Sequence, residues 1–261
     1  ILDKMTYRQP ITKALSDNNI KYIMVDYPLK TKNPRVAGPV VLYGGHQFVR
    51  QMMKEGSYQP GGLGINDRTS VSEYMSNLPL EWFLNDDGIF LTWDMFTQRI
   101  PRIGWMFGCG DIFIRPNSGF KTFTGQIIKG NDWDYDINGL DKTSSVMGNT
   151  LCFISSPKDI TGEFRFVVVS NEVITGSEYR WDNKLDVRID YPQECFDLAD
   201  KVAKHEWQVD TCYTVDICLT DKGPKIVELN SFSSAGLYAC DMDIIVKKVS
   251  EAAYNEYNFI E

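Results

Sequence analysis

Residues 225–238, KIVELNSFSSAGLY, place two oxygen-bearing side chains on one predicted β-strand and then end that strand in a loop. Most of the strand is apolar, but Glu228 and Asn230 interrupt the apolar run. Side chains alternate between the two faces of a strand, so Glu228 and Asn230 point to the same side. The Ser- and Gly-rich residues that follow favour a loop. This strand therefore presents two oxygen donors on one face, next to a flexible connection.

A second strand precedes this one, and together they predict a β-hairpin over residues 213–230, YTVDICLTDKGPKIVELN, with its turn at residues 221–223. In that hairpin Asp216 comes close to Glu228 and Asn230. Two carboxylates and a carboxamide are oxygen ligands that suit Mg²⁺, which proteins commonly share with substrate phosphates. The same pattern also fits the solvent-exposed face of an ordinary hairpin, where Asp, Glu and Asn are common.

Residues 113–125, FIRPNSGFKTFTG, carry positive charge next to a turn of small residues. Arg115 lies at the end of a predicted strand, and Lys121 lies in the turn. Small residues allow backbone N–H groups to approach phosphates, and Arg and Lys supply charge. A plain β-hairpin turn explains the segment equally well, and the GxxxxGK[ST] pattern of a P-loop is absent.

A further predicted hairpin, residues 162–181, carries charged residues among its apolar ones, with its turn near Ser170 and Asn171. Glu163 and Arg165 share one face of its first strand, and Arg180 lies near the end of its second strand. A half-exposed strand shows the same pattern, so these charges alone do not establish a site.

The composition is that of a globular protein with a substantial core. The chain has 261 residues, is 43% hydrophobic and carries a formal net charge of −8. This acidic balance argues against broad binding to nucleic-acid backbones. No apolar run is long enough to span a membrane, and residues 1–10 do not resemble a signal peptide.

The six cysteines, at positions 109, 152, 195, 212, 218 and 240, form no CxxC pair, and the chain has only two histidines. This argues against a structural zinc site and against a secreted disulfide scaffold. Several of the cysteines lie within apolar strand patterns, where they are expected to behave as small hydrophobic residues. We therefore expect a reducing, cytoplasmic setting. Neither His46 nor His205 receives a role from its sequence context.

The pattern of elements changes along the chain. Residues 1–105 alternate short predicted strands, at 21–29 and 39–45, with helical stretches such as the one that ends at Gly56. Residues 106–261 favour strands and hairpins, together with helices over 192–207 and 241–257. The sequence thus predicts a small α/β domain at 1–105 followed by an α+β domain at 106–261.

Three segments, in this order, give the C-terminal domain its family resemblance: residues 113–125, residues 154–180 and residues 213–238. Together they resemble the ATP-grasp superfamily, and in particular a compact family common in bacterial and phage genomes. The last segment, an Asp, a short hairpin and an E-x-N strand, is the most specific. The resemblance implies an α+β ATP-grasp fold, in which two subdomains with antiparallel sheets clasp ATP. The small α/β domain would precede that fold.

The resemblance implies a role for each matching position on the phosphate side of the site. Asp216, Glu228 and Asn230 would bind Mg²⁺ on the ATP phosphates. Arg115 stands where most of the superfamily has a Lys that contacts the nucleotide, and Lys121 would serve the flap that closes over the phosphates.

The resemblance also implies roles on the nucleoside side and at the γ-phosphate. Residues 154–158 would form the hinge that contacts adenine, including Ser155, Ser156, Pro157 and Lys158. Glu163 would face the ribose. Thr214 stands where many relatives have an Arg, and Arg165 or Arg180 would then supply the charge at the γ-phosphate.

ATP-grasp ligases phosphorylate a carboxylate to an acylphosphate, which an amine or thiol then attacks. The resemblance therefore implies an ATP- and Mg²⁺-dependent carboxylate–amine ligase acting on small-molecule or peptide substrates. A phosphotransferase on the same fold and a non-catalytic nucleotide-binding regulatory module are the alternatives. The sequence leaves open the identity of the substrates and the oligomeric state.

Overall fold

The computed structural model of the protein describes residues 1–3, 10–28, 33–108, 110–182 and 184–260. Two compact units divide the chain: a discontinuous unit, Ile1–Thr69 with Ile160–Glu261, and a contiguous unit, Ser70–Asp159. This division differs from the predicted domains 1–105 and 106–261, because the predicted boundary falls inside the contiguous unit. The predicted boundary stays a prediction about sequence domains.

The first part of the discontinuous unit consists of short elements: β1 (Leu2–Asp3), α1 (Pro10–Asp17), β2 (Met24–Val25), β3 (Val40–Val41), α2 (His46–Glu55), β4 (Pro60–Gly61) and a 3₁₀ turn (Asp67–Thr69). β1 pairs with β2 and β3 pairs with β4, both in parallel. The helix predicted to end at Gly56 is confirmed. The strands predicted at 21–29 and 39–45 are shorter than expected, since Pro28 and Pro39 have no backbone N–H for a longer ladder; residue 29 lies outside the described residues.

The contiguous unit is built on an antiparallel sheet. Its elements are α3 (Val71–Asn77), a 3₁₀ turn (Leu80–Trp82), β5 (Ile89–Thr92), α4 (Trp93–Thr97), α5 (Ile100–Met106), β6 (Ile112–Pro116), β7 (Gln126–Ile128), α6 (Trp133–Thr143) and β8 (Leu151–Ser155). The strand order is β5-β8-β6-β7. Phe96, Ile114 and Ile154 are fully buried in its core, with Ile137 of α6 beside them. The strand predicted to follow the turn at Lys121 is confirmed as β7.

The second part of the discontinuous unit contains the largest sheet: β9 (Gly162–Val169), β10 (Glu172–Trp181), β11 (Lys184–Arg188), α7 (Gln193–Ala203), β12 (Cys212–Thr220), β13 (Gly223–Ser231), a 3₁₀ turn (Phe232–Ser234) and α8 (Met242–Ile260). The antiparallel order is β11-β10-β9-β12-β13. Both predicted hairpins and both predicted helices are confirmed. Ser170 and Asn171 have φ angles of 50° and 64°, as a tight two-residue hairpin turn requires.

The two faces of this sheet differ in what covers them. Phe166 of β9 packs edge-on against Phe196 of α7, so alternate residues of β9, including Phe164, face that helix. The other face carries Arg165 and Val167, and Val167 packs in the same core cluster as Val246 of α8. Helix α8 therefore covers the Val167 end of that face, and the charged residues of β9 lie beyond it.

Five of the predicted hydrophobic cysteines, Cys152, Cys195, Cys212, Cys218 and Cys240, are buried free thiols, as their apolar flanks indicate. Cys109 lies outside the described residues. Over the part of the chain that the structure describes, no helix has both the length and the apolar character needed to cross a membrane.

Candidate functional site

Three neighbouring strands of the largest sheet bring charged residues into one row. The β-ladder register places Asp216 of β12 opposite Arg165 of β9 on one side and opposite Glu228 of β13 on the other. A shift in register after Asp216 locally disrupts the β12–β13 ladder. The hairpin geometry predicted from the sequence thus brings Asp216 next to Glu228, and the pairing with β9 adds Arg165.

Arg165 binds Asp216 through two parallel hydrogen bonds, from Nε to Oδ1 at 2.7 Å and from Nη2 to Oδ2 at 2.5 Å. The Arg165 side chain is 8% exposed and that of Asp216 is 2% exposed. Burial alone lowers the pKa of Arg165, but the adjacent Asp216 carboxylate more than offsets this, so the pKa of the guanidinium is raised further. A bidentate pair of this kind fixes both side chains in place.

Asn230 completes the cluster. Its Nδ2 donates to Glu228 Oε1 at 2.9 Å and to Asp216 Oδ2 at 3.3 Å. Half a turn about χ2 would exchange Nδ2 for Oδ1 and offer an oxygen instead. Beside Asn230 in the β-ladder lies Thr214, whose fully buried hydroxyl has no hydrogen-bond partner among the described residues. A buried hydroxyl without a partner next to three oxygen-bearing side chains is suited to a polar ligand at this point.

The donor set fits Mg²⁺ in kind. Two carboxylates and one carboxamide are hard oxygen ligands, and Mg²⁺ completes such partial sets with water and phosphate oxygens. Groups of three or more His, Cys, Asp or Glu side chains arranged for a metal ion do not occur among the described residues. The cluster therefore suits an ion that shares its coordination with a phosphate better than one enclosed by protein.

Glu163 lies in the same sheet and has both carboxylate oxygens engaged. Tyr179 donates its hydroxyl proton to Oε2 at 2.6 Å, and Arg180 donates from Nη1 to Oε1 at 2.8 Å. Burial raises the pKa of Tyr179, and the charges of Asp216 and Glu163 raise it further, so the phenol is a proton donor at neutral pH. The side chain of Glu163 is thereby held in one orientation.

An aromatic pair lies beside Arg165. The rings of Tyr179 and Tyr238 stack with their centroids 4.7 Å apart and their planes 9° from parallel. The guanidinium carbon of Arg165 is 5.6 Å from the centroid of the Tyr179 ring and 5.2 Å from that of Tyr238. Arg165 also donates from Nη1 to the carbonyl of Gly236 at 2.8 Å, so the loop after β13 is tied to the charged row.

That loop is also held by the first part of the same unit. Leu63 donates its backbone N–H to Ser233 Oγ at 2.8 Å, and Ser234 Oγ lies 3.0 Å from Nδ1 of His46. Gly64 has a φ of +73°, and a Cβ at this position would come within 2.8 Å of the Ser231 Cα, so glycine is required there. The N-terminal segment thus positions the residues that follow the E-x-N strand.

In the contiguous unit, Arg115 and Lys121 occupy the places that the sequence predicts. Arg115 lies near the end of β6, opposite Phe153 of β8, and is 7% exposed. Lys121 is exposed and has a φ of +49° in the turn between β6 and β7. A Cβ on Gly125 would come within 3.3 Å of the Arg115 Cβ, so the end of this turn lies close against the arginine.

The predicted hinge begins at the end of β8, also in the contiguous unit. Ser155 is fully buried, and Ser156 donates its hydroxyl proton to Asp87 Oδ2 at 2.5 Å. Lys158 forms an ion pair with Asp87 Oδ1 at 2.8 Å and a hydrogen bond to Ser156 Oγ. Burial raises the pKa of Asp87, but the hydrogen bonds from Lys158 and Ser156 outweigh burial, and the net pKa is lowered.

The predicted site residues thus form two groups. The discontinuous unit brings together Glu163, Arg165, Arg180, Asp216, Glu228 and Asn230, whereas the contiguous unit holds Arg115, Lys121, Ser155, Ser156, Pro157 and Lys158. The structure adds Tyr179, Tyr238, His46 and Asp87, to which the sequence assigned no role. For Tyr179, the signal available in the sequence was its place between Glu178 and Arg180. Asp87 lies far from Lys158 in sequence, and no local pattern links them.

Comparisons with known proteins place this geometry in a family. The sequence model of an ATP-grasp domain family, the second family of its clade, matches residues 105–247, more than half of the chain. This match confirms the resemblance predicted from the sequence. A search of curated proteins finds no match.

Solved structures share the fold over nearly the whole chain at low identity. D-cycloserine synthetase DcsG matches with a TM-score of 0.66 at 10% identity, covering 97% of this chain and 98% of that chain. D-alanine–D-alanine ligase from Bacillus anthracis matches with a TM-score of 0.61 at 14% identity, covering 100% and 98%. The ATP-grasp ligase PsnB, in complex with a phosphomimetic variant of its minimal precursor, Mg and ADP, matches with a TM-score of 0.58 at 12% identity, covering 97% of each chain. The predicted α+β ATP-grasp fold is therefore confirmed.

Proposed function

Since the chain belongs to this family of ATP-grasp domains, we propose that it is an ATP- and Mg²⁺-dependent ligase. It would join a carboxylate to an amine or thiol through an acylphosphate. The substrates would be small molecules or peptides. The neighbouring structures include a D-alanine–D-alanine ligase, a D-cycloserine synthetase and a ligase bound to a precursor, which supports this class of reaction.

One observation carries the proposal. Asp216, Glu228, Asn230 and Arg165 converge on one face of the sheet, with direct contacts between them. A nucleotide-binding module needs no buried set of oxygen ligands beside a fixed guanidinium. Phosphoryl transfer needs this combination, because its catalysis depends on positioning and on neutralising charge rather than on a protein nucleophile.

In the proposed reaction, Asp216 and Glu228 would hold Mg²⁺ through their carboxylates and Asn230 through its carboxamide oxygen. When bound, the ion would neutralise charge on the ATP phosphates. Arg165, already seated at the carboxylate of Asp216, would supply positive charge on the same face. The substrate carboxylate would attack the γ-phosphorus with loss of ADP. The amine would then attack the acyl carbon with loss of phosphate.

The remaining predicted residues keep their proposed roles. Arg115 and Lys121 would contact the phosphates, and Ser155, Ser156, Pro157 and Lys158 would form the hinge that contacts adenine. Glu163 would face the ribose. Its orientation is set by Tyr179 and Arg180, which supports a positioning role for that carboxylate. The buried free thiols support the proposed reducing, cytoplasmic setting.

The decisive experiment follows ADP release with ATP, Mg²⁺ and pooled carboxylic acids, with and without pooled amines. Hydroxylamine is added in a parallel reaction, because it traps an acylphosphate as a hydroxamate that mass spectrometry detects. We expect ADP release to require both an acid and an acceptor, and hydroxamate to form when hydroxylamine replaces the amine. EDTA should abolish both signals.

Two outcomes would contradict the ligase. A stable phosphorylated product that forms without an acceptor would identify a phosphotransferase. ATP binding without ADP release in any pool, in wild-type protein that calorimetry shows to be saturated with nucleotide, would favour a regulatory binding module. Glu228→Gln serves as the matched control, since it retains the shape of the side chain and removes its charge.

A further inference from the structure

Strand β11 (Lys184–Arg188) lies at one edge of the largest sheet and carries apolar side chains that are strongly exposed. Leu185 is 76% exposed and Val187 45%, and Ile189 directly after the strand is 75% exposed. Among the described residues β11 pairs with β10 alone, so the groups on its other side form no ladder there. An edge strand with a row of exposed aliphatic side chains is a site where another strand can pair.

The opposite face of β11 carries charges of alternating sign. Lys184, Asp186, Arg188 and Asp190 follow one another at every second position. Arg188 donates to Asp186 of its own strand from Nε at 3.1 Å, and its Nε lies 3.7 Å from Glu178 of β10. These contacts place Asp186 and Arg188 on one face of the sheet.

The order of these residues is complementary to itself when reversed. If residues 184–190, KLDVRID, face an antiparallel copy of themselves about Val187, Asp186 lies opposite Arg188 and Lys184 lies opposite Asp190. Leu185 lies opposite Ile189, and Val187 faces its own copy. Every charged residue then faces the opposite charge, and every aliphatic residue faces another aliphatic one.

We propose that β11 is a homodimer interface, in which two copies of the chain pair their β11 strands antiparallel about a two-fold axis through Val187. The two five-stranded sheets would join into one continuous sheet. The exposed Leu185, Val187 and Ile189 of both copies would then form one apolar strip. Such an interface is isologous, because the same surface serves both partners.

The charges also select the register. Residues that lie opposite each other in an antiparallel pair share a face, so neighbouring registers differ by moving the symmetry centre by one residue. Centring the pair on Asp186 places Asp186 against itself and Lys184 against Arg188. Centring it on Arg188 places Arg188 against itself and Asp186 against Asp190. Like charges directly opposite are destabilising, so both neighbouring registers are disfavoured.

Charged residues on an edge strand commonly serve to prevent pairing. A strand that carries one sign of charge would repel its own copy in every register. The alternation in residues 184–190 repels in the two neighbouring registers and attracts in one, and that register also aligns the aliphatic row. This combination distinguishes a pairing surface from a protective edge.

A cysteine on the symmetry axis tests the register directly. In Val187→Cys, the two introduced thiols would face each other across paired strands, at a Cα separation of about 4.5–5.5 Å that a disulfide can span. We expect mild oxidation to give a disulfide-linked dimer that reducing agent converts to monomer. Leu80→Cys, at another exposed leucine, serves as the control and should stay monomeric. Cross-linking of both variants to the same extent would show random collision and would overturn the proposal.

Charge reversal tests the pairing without a new bond. We expect wild-type protein to dimerise in sedimentation velocity over about 1–100 µM. Lys184→Glu and Asp186→Arg should each raise the dimer Kd by about tenfold or more, because each places like charges opposite in both halves of the interface. Lys184→Glu/Asp190→Lys should restore the wild-type Kd. Lys204→Glu, an exposed change of equal charge on α7, should leave it unchanged.

Three results would overturn the proposal: a wild-type chain that is monomeric throughout the series, reversals that leave the Kd unchanged, or a swap that fails to restore it. Arg188 is left unaltered because Glu178 is buried and Arg188 is its ion-pair partner. Lys184 and Asp190 form no ion pair with Glu178 in the described part of the chain, so their variants report on pairing rather than folding. None of these changes touches the proposed ligase site, so this test is independent of activity.

Discussion

Replacing Asp216 by Asn should destabilise the protein in the absence of any ligand. The Arg165–Asp216 pair is buried and bidentate, with side chains 8% and 2% exposed. Removing one partner of a buried pair typically costs about 3–5 kcal/mol, because the other charge remains buried without compensation. Asn keeps one acceptor oxygen, and Arg165 keeps its hydrogen bond to Gly236. We therefore expect the lower end, about 3 kcal/mol.

The assay is thermal and urea unfolding in EDTA, with circular dichroism as the readout. A loss of about 3 kcal/mol corresponds to a fall in Tm of roughly 6–12 °C for a chain of this size. Asp200→Asn removes an exposed pair with Lys204 and is the matched control; it should change stability by less than about 0.5 kcal/mol.

The double variant Arg165→Met/Asp216→Asn separates the pair from its parts. With both charges gone, neither remains buried alone, so the double variant should be more stable than the sum of the two single losses predicts. A loss below about 1 kcal/mol for Asp216→Asn, or strictly additive losses in the double variant, would refute the reasoning that this pair is buried and coupled.

Three further predictions address the site and the core. Glu228→Gln should lower ADP release by about 100-fold or more with little change in Tm, because a Gln oxygen can still accept from Asn230; near-normal turnover would make the E-x-N strand purely structural. Arg115→Lys should weaken ATP binding about tenfold in calorimetry, since Lys cannot donate the two parallel hydrogen bonds of a guanidinium, and Arg115→Ala should weaken it more; unchanged affinity in Arg115→Ala would remove Arg115 from the site. Burial raises the pKa of the Cys152 thiol to about 12 and that of Cys240 to about 11, so iodoacetamide at about pH 8 should label these residues only after unfolding; rapid labelling of the native protein would contradict their burial.

The parts that the sequence predicts well are those whose signals are local. The two hairpins follow from alternation of side chains and from turn residues such as Ser170 and Asn171. The meeting of Asp216 with Glu228 follows from one short hairpin, whose turn fixes the register. These features need only neighbours along the chain.

The parts that the sequence misses depend on strands that are not consecutive. Arg165 reaches Asp216 because β9 pairs with β12, and the helix, loop and strand between them give no signal of that register. Helix α6 has a polar, Asp- and Asn-rich sequence that favours turns when considered alone, and it forms because Ile137 and Leu140 reach the core. The short strand β11 lacks flanking turn signals strong enough to predict it.

The discontinuous unit has a consequence for the order in which the protein can fold during synthesis. Asn18, just after α1, hydrogen-bonds Asp243 of α8, and the cores of the two helices belong to one cluster. The N-terminal segment therefore has no complete core until the ribosome has released α8. The contiguous unit, by contrast, has all of its strands once Asp159 has emerged. We expect nascent chains to pass through a stage in which the later-starting unit is folded and the N-terminal segment awaits its partner, exposing Ile11 and Leu15 to chaperones.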